Sequence, residues 1–239
     1  MQRSRLAVAC GFLGALGVFD AVMGPVLIHL GVVKPLFGFQ AFYLLGSLLG
    51  LVALVLAPFA LRATRASTGR TGRGLAWLGF GCGALLVVAL LGGARSGRGL
   101  PPINDITTDL ADPPAFVSDP AELGRDLTYP ADFVPQVKAA YPDLAPIRVS
   151  SEPGRALQLA EQTARELGWE IVSVDQAAGT LLARQTTKVF RFVDDVLVRV
   201  RPAEGGGAIV DVRSKSRDGR GDLGANAVRI RAFAEKLPR

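Results

Sequence analysis

Three long apolar runs occupy the first 98 residues, and they limit what the rest of the chain can be. They extend from Leu6 to about Val33, from Ala41 to Leu61 and from Gly74 to Leu91. A helix needs ~20 apolar residues to cross a ~30 Å hydrocarbon core. The second and third runs fit one crossing each. The first is longer and holds Asp20, Pro25 and His29, so its outer end is expected at the interface or in a bend. Three buried helices of a water-soluble protein would need more covering chain than remains. Arg3 and Arg5 before an apolar stretch give the outline of a cleaved signal. No small-x-small site follows, however, and two further runs do, so a retained helix is expected.

The composition changes near residue 99. Residues 1–98 hold nine Lys/Arg against one acid, a balance of +8, and residues 99–239 hold eighteen against twenty, a balance of −2, which gives the chain its +6. The pI near 9.8 therefore belongs to the apolar part. A nucleic-acid-binding domain would carry its basic excess on the soluble part, so no nucleic-acid partner is expected. Arg3, Arg5, Arg62, Arg65, Arg70 and Arg73 fall on one side of three crossings, and Lys34, Arg95 and Arg98 on the other. Basic flanks mark the cytoplasmic side. The amino terminus is then expected in the cytoplasm and residues from about 99 outside, with the lipid bilayer as first partner. In a Gram-negative bacterium the setting is the bacterial inner membrane and the exported part is periplasmic.

Asp20 is the one acid inside a run. An ionisable group in hydrocarbon is a functional candidate by default, and a place near the outer interface or a bond between helices is the alternative. His29, nine residues on, is a poor relay partner. Gly11, Gly14 and Gly17 form a small-residue stripe and Gly46 with Gly50 a GxxxG pair, both suited to close helix contact.

Gly92–Pro102 reads as a flexible linker. Residues 101–150, rich in Pro and Asp, predict a wrapping segment with few regular elements. From Ser151 the pattern sharpens. Ser151 and Pro153 start a helix with apolar positions Ala156, Leu157, Ala160, Ala164 and Leu167, and Gly168 ends it. Strands follow at Trp169–Asp175, Thr180–Lys188, Val189–Pro202 and Ala208–Arg217. A last helix is predicted with Asp222 as N-cap and a stripe of Leu223, Ala227, Ile230, Ala234 and Leu237. Short turns make such strands antiparallel. The fold class is an α-helical membrane anchor of three transmembrane helices plus an α+β domain, with an antiparallel sheet and two helices on one face. The divisions are 1–98, 99–150 and 151–239.

Alternation puts Phe190, Phe192, Val196, Val198 and Val200 on one face of the long strand, together with Asp194. If Val198 opposes Val212, Asp194 opposes Ser216 on the core side, and Asp211, Arg213, Lys215 and Arg217 take the other face. An acid on an apolar face must be paired, hydrogen-bonded or displaced by a bulge. Asp194–Asp195 is one place for such a bulge.

Several separated motifs carry a family likeness. The runs Phe192–Val196 (FVDDV), Arg213–Arg217 (RSKSR) and Gly219–Ile230 (GRGDLGANAVRI), with Pro101–Phe116 and Ala140–Ile147, resemble the bacterial family called domain of unknown function 1499, in particular its membrane-anchored members. The likeness spans nearly all of residues 101–239. TTKVFRF (Thr186–Phe192) departs from it by being less aromatic before the paired acids. The resemblance implies a fold and an envelope setting, with no established activity to carry over.

The single His and both Cys, Cys10 and Cys82, lie in the apolar part. This leaves the soluble part without a Ser-His-Asp or Cys-His site, a disulfide or Cys/His zinc ligation. No phosphate loop or dinucleotide fingerprint is present, and no metal or cofactor is expected. Arg220-Gly221-Asp222 reads as the approach to a helix. What remains is a polar cluster: Asp194, Asp195, Arg213, Ser214, Ser216, Arg217, Asp222, Asn226 and Arg229. It fits three roles. One is an ion-paired, capped helix-to-sheet junction. The second is an anion or small-ligand pocket with Arg213, Arg217 and Arg229 as donors. The third is a hydrolase using Asp194 and Asp195, which as strand neighbours point to opposite faces and make a poor carboxylate pair. The reading favoured by this set is a non-enzymatic envelope protein whose domain binds an envelope protein or an anionic ligand. The alternatives are an enzyme on an anionic envelope substrate and, from Asp20, a small transporter subunit.

Overall fold

A computed structural model describes residues 2–116 and 127–239. The chain forms two compact units, residues 1–98 with 188–191, and residues 99–187 with 192–239. Three helices of the first unit are long and apolar enough to cross a membrane: α1 (Arg5–His29), α2 (Pro35–Ala63) and α3 (Arg73–Arg95). Helix α2 contains a π-helical stretch at Phe39–Leu44. Pro25 lies inside α1.

The helices meet through glycine. A Cβ on Gly46 of α2 would lie 2.5 Å from the Gly17 carbonyl of α1, and one on Gly14 would lie 2.8 Å from the Gly79 Cα of α3. Gly83 of α3 meets the Gly50 carbonyl of α2. All three pairwise seams are thus backbone against backbone, as expected where lipid offers no hydrophobic drive and close packing must supply the attraction. Gly79 and Gly83 repeat in α3 the spacing of Gly46 and Gly50. Cys10 is buried in this packing, its thiol donating to the Ala53 carbonyl at 3.3 Å. Asp20 is half-buried on α1, and no hydrogen bond or ion pair reaches it from the described residues. His29 is exposed at the end of α1, with Nδ1 2.9 Å from the Pro25 carbonyl.

The second unit is an α+β domain. Its strands are β1 (Asp105–Thr107), β2 (Ile147–Val149), β3 (Glu170–Asp175), β4 (Thr180–Thr186), β5 (Val193–Pro202) and β6 (Ala208–Ser216). The order across the sheet is β1-β6-β5-β4-β3, with β2 also on β6, and every pairing is antiparallel. Helices α4 (Phe133–Ala140), α5 (Pro153–Glu166) and α6 (Ala225–Lys236) complete it. Buried positions of α5 (Ala156, Leu157, Ala160) and α6 (Ala227, Ile230, Phe233) share one core with Leu181, Val196, Val198, Val210 and Val212 of the sheet. The rings of Trp169 and Phe233 stack there at 5.2 Å. Gly168 closes α5 at φ 75, where a side chain would be strained.

Four differences from the sequence reading are local. Residues 101–150 are more regular than their composition predicts: β1 and β2 extend the sheet along β6 and α4 lies between them. Residues 117–126 of that segment lie outside the described residues. The long strand starts at Val193, because Thr187 and Phe192 close a turn (Thr187 N–H to the Phe192 carbonyl, 2.8 Å), so Phe190 and Phe192 precede it. Asp222 is not the terminal cap residue. Gly224 occupies that place, and the Asp222 carboxylate reaches forward to accept from the N–H groups of Gly224 and Asn226, each at 2.8 Å. Phe233 joins the core stripe of α6 beside Ala234, which packs half-buried against the same core, and Leu223 is exposed at φ 54, before the helix begins. The β5–β6 register matches the expectation: Val198 opposes Val212 and Asp194 opposes Ser216, with no break along the pair. The sheet's bulge lies in β3, between Ile171 and Ser173.

Candidate functional site

The nine polar residues singled out from the sequence lie around β5, β6 and the start of α6, and the sheet divides them. Asp194, Ser214, Ser216, Asn226 and Arg229 meet on the helix-covered face. All are buried. Arg229 rises from the first turns of α6 and each of its three guanidinium nitrogens donates. Nη2 bonds Asp194 at 2.5 Å, Nη1 bonds Ser214 at 2.9 Å and the Asn226 side-chain oxygen at 2.5 Å, and Nε bonds Gln185. A carboxylate out of water needs a partner of this kind, and the alternation of β5 leaves Asp194 no other face to occupy. The acid is therefore paired on the core side, without a bulge.

Asn226 links this group to the segment that enters the domain. Its amide donates to Ser216 Oγ at 3.0 Å and to the Asn104 carbonyl at 3.2 Å. The Ser216 N–H also donates to the Asn104 carbonyl, at 2.8 Å, and the Asp222 N–H donates to the Ile103 carbonyl, at 3.1 Å. The Asn104 amide returns a bond to the Gly219 carbonyl at 2.7 Å. Ile103 and Asn104, the residues just before β1, are thus held from three sides. Burial, with the nearby Asp194 charge, pushes the Asp222 carboxyl above the usual carboxylate range, against the pull of its two backbone donors.

On the opposite face, Arg213 is among the most deeply buried side chains of the domain, 1% exposed. It grips Asp105 of β1 with two bonds, of 2.9 and 2.7 Å, and donates to the carbonyls of Pro114 and Leu127, both at 2.9 Å. The rings of Phe116 and Tyr129 flank its guanidinium. Lys215 adds a 3.0 Å bond to Asp105. Arg217 is bidentate on Asp195, at 2.9 and 2.7 Å. Farther along the same face, Arg199 and Arg201 both bond Asp211 and Asp109, and Arg199 also bonds Asp112. The Tyr129 hydroxyl is buried and its pKa is raised, by desolvation and by the Asp105 charge.

Asp194 and Asp195 therefore face opposite sides of the sheet, each committed to a different arginine. The three arginines considered as ligand donors, Arg213, Arg217 and Arg229, make their strong bonds to Asp105, Asp195 and Asp194. Among the described residues no group of three or more His, Cys, Asp or Glu side chains is placed to hold a metal ion. Sequence reasoning missed Asn104, Asp105, Gln185 and the Arg199–Asp211 network. The signal for the last was present: Arg199 and Arg201 alternate on β5 opposite Asp211 of β6, and a register fixed by Val198 and Val212 puts all three on one face.

The family model described as "Protein of unknown function (DUF1499)" matches residues 105–237. The chain belongs to this family. The match begins at Asp105, the partner of Arg213, and takes in the whole sheet and α6, so the domain of this family includes the segment that supplies β1 and β2. No curated protein matches the chain.

Proposed function

We propose that this protein is a multi-pass inner-membrane protein that displays an α+β domain of the DUF1499 family in the periplasm, as a non-enzymatic binding module of the cell envelope. In this reading the polar cluster is a clamp. Ser216, Asp222 and Asn226 hold Ile103 and Asn104 just before β1, and Arg213 holds Asp105 within it. The supporting observation is the commitment of the cluster's strong donors. Arg213, Arg217 and Arg229 each satisfy a buried carboxylate, and a guanidinium so engaged has little left for an incoming anion. The orientation rests on the six arginines flanking one side of the apolar runs against three basic residues on the other.

Two experiments test this. A reporter active only in the periplasm, fused after Arg239, is expected to be active; activity of a cytoplasmic reporter alone reverses the orientation. The purified full-length protein is expected to show the same background turnover of model phosphoester, glycoside and peptide substrates as its Asp194→Asn and Asp195→Asn variants. Turnover by the wild type that Asp194→Asn abolishes, with circular dichroism unchanged, would replace the binding module by an enzyme.

A further inference from the structure

The first unit carries a cationic surface at one end of its helices. Backbone bonds join the start of the chain to the link between α2 and α3: Ser4 N–H donates to the Thr71 carbonyl at 3.0 Å, and Thr71 N–H to the Gln2 carbonyl at 3.2 Å. This bridge sets Arg3 against Thr71 and so brings Arg3 and Arg5 to the end of the bundle that holds Arg62, Arg65, Arg70 and Arg73. Arg73 reaches back to the Leu61 carbonyl, at 3.4 Å. All six arginines are exposed. The only acid of residues 1–98 is Asp20, which at ~1.5 Å per residue lies about 22 Å along α1 from Arg5. Among the described residues none of the six is ion-paired. Arg3, Arg5, Arg70 and Arg73 also flank the amino ends of α1 and α3, where the helix dipole disfavours cations. Helix stability therefore does not explain them, and their mutual repulsion favours an anionic counter-group.

We infer that this end of the bundle is a binding surface for anionic phospholipid headgroups, assembled by the bridge between Gln2–Ser4 and Thr71. The inference rests on the membrane reading above. The arginines border three apolar helices, which sets them at headgroup depth when those helices span. Clusters of basic side chains next to spans are attracted to anionic lipid, and guanidinium groups match phosphate oxygens in pairs. The orderly link favours a built surface: Thr64 and Thr68 hydroxyls bond the Ala60 and Ala63 carbonyls at 2.8 and 3.0 Å.

The test is native mass spectrometry of the full-length protein from nanodiscs of mixed phosphatidylglycerol and phosphatidylcholine. Wild type is expected to retain phosphatidylglycerol over phosphatidylcholine by about tenfold. Arg3→Gln/Arg70→Gln is expected to lose most of that preference, and Arg3→Lys/Arg70→Lys, which keeps the charge, to retain it within about twofold. Arg95→Gln/Arg98→Gln, at the far end of α3, is expected to change nothing. Equal retention of both lipids by wild type overturns the inference, as does an equal loss in the Arg95/Arg98 variant. So does full displacement of the lipid by millimolar inorganic phosphate, which would assign the surface to free anion. Failure of the protein to sediment with membranes would instead strike the membrane reading itself.

Discussion

The apolar bundle and the α+β domain cohere by opposite means. The bundle removes side chains at its seams: Gly14, Gly17, Gly46, Gly50, Gly79 and Gly83 let backbones touch. The domain fills its core with branched and aromatic groups, and on both faces of β5 and β6 it buries charge in matched pairs. On the membrane reading proposed above, the difference follows from solvent. In water, burying apolar surface drives folding and supports the cost of enclosing a few ion pairs. In lipid that drive is absent between helices, so contact distance is what matters. A substitution should therefore do harm in one unit by adding atoms and in the other by removing them.

The strongest test removes atoms from the domain. Arg213→Ala leaves Asp105, fully buried, with Lys215 alone, and strips the bonds from the Pro114 and Leu127 carbonyls. Breaking a buried pair on one side costs ~3–5 kcal/mol. Denaturant unfolding followed through Trp169, in a Trp77→Phe background, is expected to show a loss of that size, with the helicity of the bundle unchanged. A loss under ~1 kcal/mol would mean that Arg213 is not a structural clamp and would return it to the set of ligand donors.

Adding atoms to the bundle comes next. Gly46→Leu forces a side chain against the Gly17 carbonyl, 2.5 Å from the first added carbon, and against Ala21. Overpacking of this kind costs ~1–3 kcal/mol. The melting temperature of the bundle in detergent is expected to fall while the unfolding of the domain stays in place. Gly74→Leu is the control, since a Cβ there meets open space. Equal effects at Gly46 and Gly74 would remove the packing argument.

This contrast also explains what could be read from the amino acids. Apolar run length gives the three helices, because each run is as long as a span of the hydrocarbon core would need. The register of β5 on β6 was legible from Val198 and Val212, because a strand slipped by one would turn its valines out of the core. The pairing of Asp194 with Arg229 was legible only as a requirement: burial demanded a cation and the helix that follows offered one. Asp105 was not legible. Its three-residue strand is too short for periodicity and sits among prolines and aspartates, and it acquires meaning only once β6 is there to pair with it. Gly46 and Gly50 were read and Gly79 and Gly83 were not, although their spacing is the same.

The smallest expected effect concerns the one carboxylate of the clamp that has no arginine of its own. Asp222 accepts two backbone bonds at the start of α6, yet burial raises its pKa above the ordinary value. A carboxyl whose folded pKa is raised binds its proton more tightly in the folded state than in the unfolded chain. Its linked stability is then fully present below the unfolded pKa, near 3.8, and declines as pH rises through the folded value. Asp143 has the opposite sign. Its bonds to Arg231 hold its pKa down, so its contribution is present above the ordinary value and lost as pH falls. The two are separated by comparing wild type with Asp222→Asn across pH 4 to 7. At neutral pH the variant is expected to lose ~1 kcal/mol or less, since the loss of one of the two backbone bonds and the removal of a buried charge oppose one another. Toward pH 4 the advantage of wild type should grow, because only wild type can take up the proton. An advantage that shrinks toward pH 4 would mean that the ionised carboxylate stabilises the fold on balance, and that this position tolerates a bare charge where Asp105, Asp194 and Asp195 each take an arginine.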